Sequence, residues 1–191
     1  MTLISELQQI KNMKNCVQDV HTCVDVEERG ERGRNNFLTG LNCAQSVVAA
    51  FADLFPDADL DTAMRIAASF GGGMGRLRLT CGAVSGLAML AGLECGAATG
   101  DLDARARNYA LVQQLAAEFK AENDSLICAE LLGLRSGQID PPRPSERTAD
   151  YYRSRPCPVL IACACRIYAR HRLSISSAEA STDTKSIQSP N

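Results

Sequence analysis

The chain has 191 residues, of which 46% are apolar and 22% are charged, and its formal net charge is −2. This length suits one sizeable domain, and the charge gives no electrostatic reason to expect a nucleic-acid partner. The longest apolar runs, at residues 83–93 and 158–165, are too short to span a bilayer, and polar residues interrupt the N-terminal segment where a signal peptide would have its apolar core. We therefore expect a soluble, cytoplasmic protein without membrane insertion.

Apolar residues recur at spacings of three and four along most of the chain, which is the pattern of amphipathic helices. The predicted helices span residues 2–24, 42–55, 60–70, 82–93, 101–122, 125–133 and 158–172. Asn42 and Ser125 are suitable N-caps for the second helix and for the short sixth helix. No segment alternates as a strand does. The sequence predicts an all-α fold, a single compact domain of about six or seven helices with a glycine-rich turn.

Composition divides the chain into three parts. Residues 1–34 predict an N-terminal helical extension and a linker. The linker is placed at residues 27–34, which are charged and interrupted by two glycines and which could also form a frayed helix. Residues 35–173 predict the helical domain that carries the site. Residues 174–191 have little apolar surface to bury, which favours a disordered tail.

A glycine-rich turn lies between the third and fourth predicted helices. Its candidate binding residues are Gly71, Gly72, Gly73, Gly75 and Arg76. They could bind a cofactor by cradling an anion or a flavin phosphate, although the GK[ST] signature of a P-loop is missing. The other interpretation is a tight turn, in which the glycines serve the backbone and Arg76 contacts loop carbonyls or a carboxylate. After the turn, Gly82 and Gly86 share one helix face and would let another element approach closely.

Nine cysteines is a high number for such a chain, and in a reducing compartment this density indicates metal binding or thiol chemistry. No CxxC or CxxCH sequence occurs, so any site must combine distant parts of the chain. Four cysteines fall at predicted helix starts: Cys43, Cys81, Cys128 and Cys157. A helix N-terminus carries partial positive charge, which favours a thiolate over a thiol. These four are therefore the candidate catalytic or metal-binding residues.

Nearby arginines would add positive charge to two of these cysteines. They are Arg76 and Arg78 near Cys81, and Arg153 and Arg155 near Cys157. The sequence assigns no role to the other five cysteines, which are Cys16, Cys23, Cys95, Cys163 and Cys165. The two histidines, His21 and His171, are expected at the surface, so no histidine-based site is predicted.

Two chemistries use four such cysteines, and their spacing does not separate the two. Four thiolates can hold an iron–sulfur cluster, which commonly takes Cys₄ ligation. Alternatively, two cysteines can form a reversible disulfide, one attacking and one resolving. Two further hypotheses stay open: a non-catalytic module that binds a metal or a small ligand, and a structural helical domain with incidental thiols. Whether the chain is an enzyme is left undecided.

Three short motifs carry a family resemblance. They are Asn-Cys-Ala-Gln at residues 42–45, Gly-Gly-Gly-Met-Gly-Arg at residues 71–76 and Cys-Gly-Ala-Val-Ser-Gly at residues 81–86, followed by Cys128 and Cys157. Together they resemble the C_GCAxxG_C_C family of redox-active proteins, over about residues 37–170. The four cysteines that define this family match the four that the helix-start argument selects.

The resemblance carries further implications. The family is similar to the cysteine-bearing part of split-Soret cytochromes, which implies a helical fold, an ability to form a homodimer and a [2Fe–2S] cluster. The haem half of that comparison does not carry over, because CxxCH is missing. Family members often lie near transporter genes, which suits a binding module associated with a transporter system. The electron donor or acceptor and the substrate are not identified by the resemblance.

Overall fold

A computed structural model describes residues 24–135 and 140–186. Eight α-helices lie in this part of the chain, and six of them have seven residues or more. In chain order they are α1 (Val26–Leu38), α2 (Cys43–Ala49), α3 (Leu60–Ala68), α4 (Gly82–Cys95), α5 (Leu102–Asn123), α6 (Cys128–Leu131), α7 (Ala149–Arg153) and α8 (Cys157–Ser186). The described residues form no strand, which confirms the predicted all-α fold. The helix predicted at residues 2–24, with Cys16, His21 and Cys23, falls outside the described residues apart from residue 24.

Helix α1 replaces the linker that the sequence predicted at residues 27–34. It begins after Asp25, whose side chain accepts a hydrogen bond from the Glu28 N–H at 2.9 Å. The two glycines do not break this helix, because they form the face that meets α8. A Cβ atom at Gly30 would lie 3.0 Å from the Arg166 side chain, and one at Gly33 would collide with the Cys165 sulfur. Small residues at a contact face permit close helix packing. The linker interpretation was therefore wrong, and the helix alternative is the one that the structure shows.

Helices α2 and α4 also pack closely, at the glycine face that the sequence predicted. A Cβ atom at Gly82 would lie 2.8 Å from the Cys43 Cβ, and one at Gly86 would lie 2.7 Å from the Val47 Cβ. Asn42 caps α2 as predicted, through a reciprocal capping box with Gln45. The helix is shorter than predicted, because it ends at Ala49 and a 3₁₀ turn follows at Ala52–Leu54.

Two other boundaries differ from the prediction, and one short helix was not predicted. Helix α4 extends through Cys95, which was expected in a loop. Helix α6 begins at Cys128, and its N-cap is Ile127 instead of the predicted Ser125. The Ser125 hydroxyl accepts from the Ile127 N–H at 2.9 Å and donates to Glu130. Helix α7 was not predicted, since its five residues carry no apolar period.

Helix α8 forms much of the core and is longer than predicted. Tyr168 is fully buried and packs edge-to-face on Phe51, with ring centroids 4.8 Å apart. Its hydroxyl donates to Glu94 at 2.7 Å, and His171 Nε2 lies 2.8 Å from the same carboxylate, so the prediction of a solvated His171 was wrong. The helix continues to Ser186, into the segment predicted as a disordered tail.

Within the two described ranges, none of the helices combines the length and the apolar character that crossing a bilayer requires.

Candidate active site

All four candidate cysteines lie at helix starts. Cys43, Cys128 and Cys157 are the first residues of α2, α6 and α8, and Cys81 is the N-cap of α4. The position of the four cysteines at helix starts therefore agrees with the prediction, although other helix boundaries differ.

One cavity of about 260 Å³ is lined by all four cysteines. Four helices, α2, α4, α6 and α8, thus begin at the wall of the same cavity. Cys81 and Cys128 are buried, whereas Cys43 and Cys157 are half-buried. The sequence could not tell whether these residues converge, and the structure brings them together.

The glycine-rich turn forms part of this wall through an unusual backbone. Five consecutive residues, Gly72 to Arg76, have φ angles between 57° and 72°. This left-handed region is unfavourable for residues with a Cβ atom. Glycine occupies three of the five positions, which reduces the conformational strain of the turn. Gly73 also has a close neighbour, because a Cβ atom there would lie 2.7 Å from the Cys128 Cβ. These contacts support the tight-turn interpretation, and cofactor binding by Gly71, Gly72, Gly73, Gly75 and Arg76 stays a prediction.

Arg76 makes the contacts expected for a tight turn. Its Nε donates to the Pro141 carbonyl at 2.6 Å, and its guanidinium lies 3.4 Å from the Asp140 carboxylate. Arg78 is buried, pairs with the same Asp140 and places a guanidinium nitrogen 3.8 Å from the Cys128 sulfur. The charge of Arg78 therefore acts on Cys128, although the sequence placed it near Cys81.

Cys43 is the cavity cysteine whose pKa falls. The Cys157 thiol donates a hydrogen bond to the Cys43 sulfur, and this bond is the main reason that the pKa of Cys43 is lowered to about 7. The backbone N–H of Gly72 and the positive charge of Arg147 lower it further, against the effect of burial. The same hydrogen bond raises the pKa of Cys157, because the proton stays on the donor. Of the two, Cys43 is therefore the thiol that loses its proton first.

Burial has the opposite effect on Cys81 and Cys128. It raises the pKa of Cys81 to about 12, with a further contribution from the negative charge of Cys43. It also raises the pKa of Cys128, although Arg78 acts in the other direction. The sequence predicted that thiolates are favoured at all four helix starts. The pKa is lowered at Cys43, where specific donors face the sulfur. At Cys81 and Cys128, desolvation outweighs the helix dipole and the pKa rises.

Two arginines at the cavity come from the segment before α8. Arg147 donates to the carbonyl oxygens of Phe37 and Leu41 at 2.6 and 2.9 Å, and its guanidinium lies 4.5 Å from the Phe37 ring centre. Sequence reasoning missed Arg147, because nothing local relates it to a cysteine more than 100 positions away. Arg155 lines the cavity as well. Arg153 points to solvent with its side chain 76% exposed and pairs with Asp150, so its predicted role near Cys157 was wrong.

The positions of the four cavity cysteines determine whether the cavity can bind a metal ion without rearrangement. All seven cysteines in the described ranges are free thiols. Within those ranges, no group of three or more histidine, cysteine, aspartate or glutamate side chains is arranged to hold a metal ion. The four cavity cysteines thus include a hydrogen-bonded pair and do not form a preformed metal centre.

Comparison with known proteins agrees with the four-cysteine arrangement. A family model described as "Putative redox-active protein (C_GCAxxG_C_C)" matches residues 41–171, which is more than half of the chain. The chain belongs to the C_GCAxxG_C_C family. No curated protein and no solved structure matches it. The matched range contains all four cavity cysteines. The description of the family model calls its members redox-active and names no reaction.

The remaining described cysteines of this family member pack outside the cavity wall. Cys95 donates to the Ala91 carbonyl one helical turn earlier. Cys163 accepts from Asn123 at 3.1 Å, and burial raises its pKa to about 11. Cys165 is fully buried against α1. Their surroundings are those of structural thiols.

Proposed function

We propose that this member of the C_GCAxxG_C_C family is a thiol–disulfide redox protein in which Cys43 attacks and Cys157 resolves. The observation that carries the proposal is that Cys43 and Cys157 begin α2 and α8 at the wall of one cavity, and the Cys157 side chain there lowers the pKa of Cys43 to about 7. A thiolate is the nucleophile in disulfide exchange, and a thiol with a pKa near the ambient pH attacks best. The half-buried position of both residues also lets a reagent in the cavity reach them.

The reaction follows from the positions of the protons. The Cys43 thiolate attacks a sulfur atom of a substrate disulfide and forms a mixed disulfide, and the other half of the substrate leaves as a thiolate. Cys157 then transfers its proton to the first released thiolate, and its sulfur attacks the Cys43 sulfur. This breaks the mixed disulfide and releases the second half of the substrate as a thiolate, which takes a proton from water. The two cysteines are oxidised by two electrons in total, and the substrate is reduced to two thiols. A reducing partner must restore the dithiol, which suits a cytoplasmic location.

Iron–sulfur ligation is the second candidate, and the shared cavity supports it. Four cysteines are the usual ligand set of a [2Fe–2S] cluster, and Cys43, Cys81, Cys128 and Cys157 would be the residues that hold it. As placed, they do not form a metal centre, so we derive no reaction from a cluster. A metal or small-ligand binding module without redox chemistry is the third candidate, with the same cavity as its site.

The thiol titre of the native protein tests the proposal. The protein is purified without oxygen, and its thiols, iron and acid-labile sulfide are measured before and after mild oxidation and again after reduction. We expect iron-free protein whose titre falls reversibly by about two thiols per chain. Cys43→Ser and Cys157→Ser should each abolish that fall, and Cys163→Ser, outside the cavity, should behave as wild type.

Two results would contradict the proposal. Visible absorption with matched iron and sulfide would favour the cluster. An unchanged titre together with a bound ion or small molecule in native mass spectrometry would favour the binding module. Far-UV circular dichroism of each variant shows whether the helices are retained.

A further inference from the structure

The wall of the cysteine cavity is positively charged. Four arginines line it, Arg76, Arg78, Arg147 and Arg155. Among the described residues that line it, no aspartate or glutamate occurs. This concentration of positive charge occurs in a chain whose net charge is −2.

The arginines differ in how far their charge is compensated. Arg76 and Arg78 share the single carboxylate of Asp140. Arg147 donates to two backbone carbonyls, which satisfy its N–H groups and leave its charge in place. Arg155 lies over the Tyr151 ring, 4.8 Å from the ring centre, and pairs with no carboxylate in the described part of the chain. Positive charge therefore remains in excess after Asp140 and the Cys43 thiolate are counted.

An uncompensated guanidinium at a cavity wall favours an anionic ligand. Arginine binds carboxylates through two parallel hydrogen bonds, and its fork suits a planar anion. The cavity of about 260 Å³ restricts the ligand to a small molecule. The Tyr151 ring lies against the Arg155 guanidinium, and this cation–π contact uses none of the guanidinium N–H groups to pair with a carboxylate.

We propose that the cavity selects small disulfides that carry carboxylates, with Arg155 contacting the anionic group while Cys43 attacks the disulfide. The inference rests on the proposed dithiol function and adds the class of substrate. The chemical step is the exchange already given: one substrate disulfide and the two thiols give the Cys43–Cys157 disulfide and two anionic thiols. The substrate is the oxidant, so no further reactant is needed.

A series of three disulfides that differ mainly in charge tests the selection. Dithiodipropionate is a dianion, hydroxyethyl disulfide is neutral and cystamine is a dication. The rate at which each consumes the Cys43 thiol is measured at low salt by mass spectrometry. Each rate is then divided by the rate of the same disulfide with free mercaptoethanol, which removes differences in intrinsic reactivity. We expect the dianion to exceed the neutral compound by about tenfold and the dication to be slowest, with added salt narrowing the differences.

Variants at two neighbouring arginines separate a specific contact from a general charge effect. Arg155→Gln should lower the normalised rate with dithiodipropionate much more than the normalised rate with hydroxyethyl disulfide, and Arg155→Lys should restore part of the difference. Arg153→Gln is the matched control, because this side chain removes the same charge two residues away but points to solvent. Equal normalised rates for the three disulfides, or equal effects of the 155 and 153 variants, would overturn the inference and leave the dithiol function standing. Failure of all three to react at Cys43 would instead reject the proposed function.

Discussion

Cys43 differs from the other cavity cysteines in the donors that face its sulfur. Hydrogen bonding from the Cys157 thiol and from the Gly72 N–H lowers the pKa of Cys43, and the positive charge of Arg147 lowers it further. Cys81 shares the position at a helix start but is buried, and its pKa rises to about 12. At the scale of single residues, hydrogen bonds to the charged form therefore decide which thiol has the lowest pKa, and the helix dipole alone does not.

The rate of Cys43 alkylation should follow this hydrogen bond. Because the thiolate reacts, the iodoacetamide rate at Cys43 should rise with pH around a midpoint near 7. Cys157→Ala removes a donor that favours the thiolate, so the pKa of Cys43 should rise and the midpoint should move to about pH 8 or higher. The measurement is the alkylation rate of the Cys43 peptide against pH by mass spectrometry.

Cys163→Ser provides the control for this profile, because residue 163 lies outside the cavity and its thiol contacts Glu122 and Asn123. An unchanged midpoint in Cys157→Ala would mean that the hydrogen bond does not set the pKa of Cys43.

At the scale of elements, the glycine-rich turn connects α3 to α4 and supports two cysteines. Its left-handed backbone aims the Gly72 N–H at Cys43, and Gly73 leaves room for Cys128. The turn thus supplies backbone donors and space to the thiols, and it does so whether or not it also binds a cofactor.

Two glycines of the turn separate backbone strain from lost space. At Gly75, alanine meets no atom closer than 3.9 Å, so the left-handed backbone alone should lower the free energy of unfolding by about 1 kcal/mol. At Gly73, the added Cβ would also meet the Cys128 Cβ and the Leu79 nitrogen at 2.7 and 2.9 Å. Gly73→Ala should therefore cost about 3 kcal/mol. Urea unfolding of both variants measures the difference, and equal losses would show that Gly73 is needed for backbone conformation only.

The local parts of the site could be predicted from the sequence, because they depend on neighbours in the chain. Asn42 and Gln45 form a capping box whose sequence signature predicts the start of the helix. Arg76 makes the loop contacts expected after a glycine turn. The proximity of Cys43 and Cys157 could not be predicted, since they are 114 positions apart and their approach depends on how α2 and α8 pack. The position of Arg147 near Cys43 could not be predicted for the same reason.

At the scale of the whole molecule, the packing of glycine faces gathers the helix starts. Gly82 brings α4 against Cys43, and Gly33 brings α1 against α8. The first glycine face could be predicted from the sequence, whereas the second was interpreted as a linker or a frayed helix because Gly30 and Gly33 lie among charged residues. Those charges have partners in the fold: Arg29 is buried and bonded to Asp53, and Glu27 pairs with Arg166. The sequence of a charged helix with a narrow glycine face therefore resembles that of a linker, unless the helix that packs against the glycines is known.

The most direct test of the account is the identity of the disulfide in the oxidised protein. The protein is oxidised mildly, alkylated, digested without reduction and mapped by mass spectrometry. We predict a cross-linked peptide pair that joins Cys43 to Cys157, with Cys81 and Cys128 recovered as alkylated thiols. A disulfide that joins Cys81 to Cys128, with Cys43 and Cys157 still reduced, would contradict the account.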